Sequence, residues 1–206
     1  MLDLFELCLG AAPFSPALPG FHSLTIRAVD FAEPPLAEHH MRLRPATAAE
    51  VIAACREHTG DDLLYGTAAY WDLWTFEAGQ WIDRPQHFEV SCCGENFDNG
   101  AFAENGHFQI DAGLEHFFTG HANLLGARSQ GADPVAASHP AEAGFLRHMA
   151  EPAHLRQYHE KTCDNIARLL NAVMQVKAAV PIGRDSLCSE GEEDFEARLD
   201  DILAAR

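Results

Sequence analysis

Twelve of the nineteen Phe, Trp and Tyr residues fall between Tyr65 and His121, little more than a quarter of the chain. Aromatic side chains bury large areas, so this stretch centres the core. Its pattern is that of strands. Residues 66–77 (GTAAYWDLWTFE) are rich in strand formers, Ala78-Gly79 turns the chain, and Trp81-Ile82 begins the return. Arg84-Pro85 interrupts that return. His87 to Cys93 resumes it, with Phe88, Val90 and Cys92 on one face and His87, Glu89 and Ser91 on the other. Residues 94–106 (GENFDNGAFAENG) read as a loop rich in Gly, Asn and acid. His107 to Asp111 then alternates again, with Phe108 and Ile110 inward, and a short helix follows. Three neighbouring antiparallel strands account for the segment.

The flanks frame this centre. Leu2, Phe5, Leu7 and Cys8 fit one side of a short helix that Gly10 and Pro13 end. Residues 11–20 are a Pro-rich connector. Leu24, Ile26 and Ala28 alternate with Ser23, Thr25 and Arg27 as a half-buried strand, which Pro34-Pro35 breaks. Met41 and Leu43 against Arg42 and Arg44 suggest a second short strand. Thr47 and Glu50 then form a capping box ahead of Val51, Ile52 and Cys55, predicting a helix over about 48–58 with Gly60 as its C-cap.

Beyond residue 111 the period of two gives way to helices. Residues 120–139 carry Gly120, Gly126, Gly131 and Pro134 and read as an irregular connection. Residues 141–150 look helical. Pro152 restarts a helix whose apolar stripe runs through Leu155, Tyr158, Ile166, Leu169, Leu170, Val173 and Val176. Ser189 to Glu192 forms a second capping box before Phe195, Leu199, Ile202 and Leu203. Strands followed by helices predict an α+β fold: an antiparallel sheet over about residues 22–111, packed against helices, with a helical C-terminal third. The expected organisation is an N-terminal helix and connector (1–20), a single α+β domain (21–180) and an acidic final helix (181–206).

The charge is far from neutral, −17, with 31 acids against 14 bases. No cationic footprint is available for phosphates, so nucleic acid and anionic membrane surfaces are not expected partners. The six cysteines contain no C-x-x-C pair, and residues 1–12 carry Asp3 and Glu6 but no Lys or Arg, unlike a signal peptide. Free thiols and a cytoplasmic location are expected. Of Cys92 and Cys93, one is expected in the core and the other on the second face, because adjacent strand residues point apart.

No phosphate loop, dinucleotide fingerprint, nucleophile elbow or H-E-x-x-H motif occurs. Two readings of function remain. From Glu57 to Ala127 there are twelve acids and one base, Arg84, a net −11, in a stretch that also holds every tryptophan. Glu89, and likewise Asp72, are expected on an outward sheet face opposite the apolar one. This predicts a cytoplasmic, non-enzymatic binding protein, inhibitor- or immunity-like. Its acidic, aromatic-rich face would dock a basic protein partner, with Glu95, Asp98, Glu104, Trp74 and Trp81 in contact.

The alternative is a metal-dependent enzyme or small-molecule binder near residues 95–121. Imidazole and carboxylate there are ligands for a divalent metal, with His107, His116, His121 and Asp111 as the candidate set. Glu104-x-x-His107 and Glu151-x-x-His154 also have the spacing of helical di-metal sites, although Glu104 falls in an expected loop and Pro152 interrupts the second pair.

Overall fold

The computed structural model describes residues 1–41, 44–126 and 139–205, residues 104 and 105 by their backbone alone. Along the chain run α1 (Leu2–Gly10), β1 (Phe21–Ala28), β2 (Ala37–His40), α2 (Ala48–Cys55), β3 (Leu63–Glu77) and β4 (Gln80–Cys93). They are followed by α3 (Phe102–Asn105), β5 (Phe108–Asp111), α4 (His116–Thr119), α5 (Pro140–Met149), α6 (Pro152–Ala179) and α7 (Phe195–Ala204). The strands form one antiparallel sheet in the order β2-β1-β3-β4-β5. The fold is α+β, with helices in the C-terminal part. No helix among the described residues is long and apolar enough to cross a membrane.

Two compact units divide the chain. The first takes residues 1–72, 84–113 and 172–181; the second takes residues 73–83, 114–171 and 182–206. The division therefore cuts the β3–β4 hairpin and α6 instead of separating consecutive segments.

In the first unit, β1 buries Phe21, Leu24 and Ile26. The odd step between Phe21 and Leu24 comes from a bulge, where the pairing with β3 shifts between Phe21 and Ser23. The second strand lies earlier than expected. It is Ala37–His40, paired on the edge of β1, while residues 42–43 of the expected strand lie outside the described residues. Its sequence, AEHH, has no apolar alternation, so only pairing with β1 defines it. The α1 face differs too: Phe5, Cys8 and Leu9 are buried and Leu7 is exposed. Residues three and four apart share a helix face, and Leu7 is only two from Phe5.

The capping box of α2 is made in both directions. Glu50 N donates to Thr47 Oγ1 at 3.3 Å, and Thr47 N donates to Glu50 Oε2 at 2.9 Å. That backbone bond is the main cause holding the Glu50 carboxyl below its usual range. The helix stops at Cys55 with Arg56 as its C-cap in ordinary helical geometry, so Gly60 is not the cap.

The centre holds the three neighbouring strands expected, the long β3 and β4 and the short β5. β4 runs through Arg84-Pro85 without a break. Among the described residues β5 pairs only with Glu89–Cys92, so the earlier part of β4 is an edge, where proline is tolerated. The hairpin turn at Ala78-Gly79 places both residues at positive φ, 48° and 84°, the twist that two-residue hairpins require.

The expected open acidic sheet face is not there over the first half of β3. Leu63, Leu64 and Tyr65 are buried in succession, as are Thr67, Ala68 and Ala69, so both faces are covered. Cys93, expected opposite the core, is buried as well as Cys92. It packs with Leu64, Phe97 and Phe102 under the 94–106 loop. Burial pushes the Cys92 thiol well up and the Cys55 thiol to about 12, so both stay protonated.

On β5, Phe108 stacks on Phe5 of α1 at 6.2 Å. Ile110 pairs with Val90 but is 45% exposed, because the edge strand reaches past the cover that Phe5 gives Phe108.

Candidate functional site

Three loops of the first unit converge on one acidic corner. Val29 ties them together: its N–H donates to Asp62 O at 2.9 Å and its carbonyl accepts from Asp98 N at 2.7 Å. Val29 does so at φ 70°, a left-handed conformation that is a true outlier for a β-branched residue. Further bonds join the 94–100 loop to residues 61–63. Gly94 N donates to Leu63 O, Asn96 N to Asp61 O, and Asn96 Nδ2 to Asp61 Oδ2 at 2.7 Å. Gly94 is required here, since a Cβ would sit 2.2 Å from Asp61 O. Asp98 and Asn99 take positive φ to bend the loop back.

Six carboxylates gather on these loops: Asp30, Glu33, Asp61, Asp62, Glu95 and Asp98. Among the described residues, Arg27 at the end of β1 brings a cation to them. Its guanidinium is occupied by the carbonyls of Phe31 and Glu33. Asp30 closes a local turn by accepting Ala32 N and Glu33 N. At this corner two apolar side chains face solvent, Phe31 at 59% and Val29 at 54% exposure. Phe31 is braced edge-on by buried Phe97 at 5.1 Å. A rigid, exposed aromatic ringed by carboxylates can attract a cationic surface at range and grip it on contact.

Of the residues expected to bind, Glu95 and Asp98 sit at this corner. Glu104 has no described side chain; its backbone lies in the one-turn helix α3, where a loop was expected. Asp72, expected outward, is half-buried, with one carboxylate oxygen fully covered.

Trp74 and Trp81 belong to the second unit, and both are already engaged. Lys161 Nζ lies 3.4 Å from the Trp74 ring centroid, so the chain supplies the cation that this ring was expected to meet on a partner. Asn165, fully buried on α6, accepts Trp74 N at 2.8 Å and donates to Trp74 O and Phe117 O. Trp81 stacks on Tyr158 at 5.5 Å and meets Phe76 at 5.2 Å. Burial raises the Tyr158 hydroxyl to about 12, and it accepts His121 N at 2.6 Å.

The candidate metal ligands divide between the units. In the first, His107 Nδ1 lies 3.1 Å from Cys93 O and its ring stacks on Phe102 at 4.4 Å. Asp111 accepts Gly113 N. In the second, His121 Nε2 meets Glu142 Oε1 at 3.0 Å. His116 keeps an exposed edge, yet the protein packed around it lowers its pKa by desolvation, and His121 adds a like charge. Glu151 does reach His154, at 3.3 Å, because Pro152 starts α6 there and does not break it. Among the described residues, no group of three or more His, Cys, Asp and Glu is arranged to hold a metal ion.

The C-terminal helix brought a feature that patterning missed. Arg198 is buried on α7 and donates to Thr119 O, Leu125 O and Asp201 Oδ2. Asp194, not Ser189, caps the helix by accepting Ala197 N. Ser189 instead bonds Glu115 and closes its own turn through Gly191 N and Glu192 N.

Phe31 was also missed. Its signal was an aromatic between Asp30 and Glu33, just before Pro34-Pro35, in a loop that cannot bury it.

No family model matches the chain, and no curated protein or solved structure is similar to it.

Proposed function

We propose that this is a cytoplasmic, non-enzymatic binding protein, inhibitor- or immunity-like, that docks a basic protein partner at the acidic corner. The observation that carries the reading is the convergence of Asp30, Glu33, Asp61, Asp62, Glu95 and Asp98 around exposed Phe31 and Val29. Carboxylates steer a cationic partner into encounter, and the aromatic anchor sets how long the complex lasts. Nucleic acid fits poorly, because its phosphates would meet the same carboxylates.

The test captures partners from native lysate on immobilised protein, re-expresses any basic protein retained, and measures its rates. Glu95→Lys with Asp98→Lys slows association by about tenfold, and added salt slows the wild type in the same way. Phe31→Ser speeds dissociation by about thirtyfold, as for a loss of ~2 kcal/mol at a central aromatic. A partner whose rates ignore salt and both variants, or no basic partner at all, overturns the reading.

A further inference from the structure

The sheet of the first unit ends at an edge that its own residues leave unfinished. β5 is the last strand in the order, and among the described residues no strand lies beyond it. Phe108, Gln109, Ile110 and Asp111 stand opposite Cys92, Ser91, Val90 and Glu89. Directly opposed residues share a face, so the core face continues onto Phe108 and Ile110, and the outer face carries Gln109 and Asp111. On the core face, α1 covers the first of these rows, with Phe5 stacked on Phe108 at 6.2 Å. The second row has no such cover. It passes from Val90, 1% exposed, to Ile110, 45% exposed. On the outer face, Glu89 and Asp111 set two carboxylates directly opposite each other, an arrangement that destabilises a ladder. His87 Nε2 lies 3.8 Å from Glu89 Oε1, while Asp111 accepts Gly113 N from its own turn.

We propose that the β5 edge takes an added strand from the basic partner, an extended segment in which apolar side chains alternate with Lys or Arg. Main-chain hydrogen bonds to an open edge supply affinity, and alternate side chains supply specificity. A strand laid about 4.8 Å beyond β5 puts one side chain beside Ile110, completing the row from Val90, and the next on the other face beside Asp111. A cation at that place faces Asp111 and offsets its opposition to Glu89. An acidic segment would add a third like charge, so a second copy of this chain, at net −17, is the poorer occupant.

This mode of binding rests on the docking reading above and specifies how the partner is held. β5 starts at the same end of the sheet as the acidic corner. There β1 ends and β3 begins, at the Ala28–Leu63 pair, and β4 ends at Cys93. The other open edges suit a strand less. β2 offers Ala37, Glu38, His39 and His40, with Pro34-Pro35 just before it and no large apolar side chain to cover. The early part of β4 contains Pro85, which has no N–H to donate.

The experiment titrates the full chain with a short end-blocked peptide of alternating valine and lysine and follows amide hydrogen exchange. Exchange at Gln109 to Asp111 slows by about tenfold at saturation, as for amides drawn into a paired edge, and Ala37 to His40 is unchanged. Two control peptides each bind about tenfold more weakly: one with alternate amides N-methylated, which cannot pair, and one with its lysines gathered in a block. Ile110→Lys points a charge into the apolar row from an exposed position and weakens the alternating peptide by a similar factor. Should that variant fail to reach the wild-type far-ultraviolet spectrum, Asp111→Lys tests the outer face and makes the same prediction. Equal binding of the N-methylated peptide, protection at β2 instead of β5, or self-association of the wild type that Ile110→Lys abolishes overturns the added strand. A basic partner slowed by Glu95→Lys with Asp98→Lys yet indifferent to Ile110→Lys also overturns it, and leaves the corner reading standing. Peptide protection at β5 with no basic partner in the lysate keeps the edge and removes the corner reading.

Discussion

Phe31 and Trp74 are both aromatic residues flanked by carboxylates, and the molecule uses them in opposite ways. Phe31 stands in a loop between Asp30 and Glu33, 59% exposed, with only its edge braced by Phe97. Trp74 stands in β3, between Asp72 and Glu77, and its ring is capped by Lys161 while its backbone is clamped by Asn165. The cation that makes an acidic aromatic surface useful to a partner is already internal at Trp74. At Phe31 the cation nearby among the described residues, Arg27, is occupied by carbonyls, and the ring is left to solvent. Acid and aromatic in sequence therefore do not define a docking surface. What defines it is whether the chain's own cations reach the ring first.

The contrast breaks most readily at Asn165. Replacing it by Leu removes the Asn165 partner of Trp74 N, Trp74 O and Phe117 O, three half-buried bonds at about 1 kcal/mol each, so a loss of about 3 kcal/mol is expected. Chemical denaturation measures it, and tryptophan fluorescence reports Trp74 directly. A midpoint within error of wild type would mean that water replaces the clamp. Binding at the acidic corner should survive in whatever fraction stays folded.

Gly94→Ala attacks the other region. The new Cβ meets Asp61 O at 2.2 Å, so the 94–100 loop must pull away from residues 61–63. A cost of about 2 kcal/mol is expected, typical of overpacking. The acidic corner should lose affinity for a cationic partner although every carboxylate is still present. Wild-type stability and binding in this variant would show that the loops do not need to touch.

The smallest effect has the opposite sign. Val29→Gly removes the side chain from a left-handed position that costs an L-residue roughly 1–2 kcal/mol, against about 0.5–1 kcal/mol for the added freedom of glycine in the unfolded chain. A net gain of about 0.5 kcal/mol is expected, because Val29 is mostly exposed and little packing is lost. Thermal melting detects it. A destabilised variant would show that the Val29 side chain, and not only its backbone, holds the corner together.

Local chemistry and period determined a good part of this protein from sequence. Thr47 and Glu50 announce α2 because the capping box needs only residues three apart. Phe88, Val90 and Cys92 announce the buried face of β4, since a strand alternates whatever its neighbours are. Pro152 and the stripe through Tyr158, Ile166 and Leu169 announce α6. The excess of acid between residues 57 and 127 is likewise plain in the sequence.

The tertiary structure decided where that acid faces and which aromatics it surrounds. Glu95 and Asp98 stand beside Asp61 and Asp62 only because backbone bonds join loops more than thirty residues apart. Trp74 and Trp81 are covered by side chains of α6, and nothing in β3 or β4 encodes Lys161 or Tyr158. Pro85 could stay within a strand because β5 leaves that part of β4 as an edge. Cys93 is buried because the following loop folds back over it. Periodicity reports which way a side chain leaves its own element. Whether it then meets solvent, a cation or a carbonyl depends on segments distant in the chain, and no local pattern carries that information.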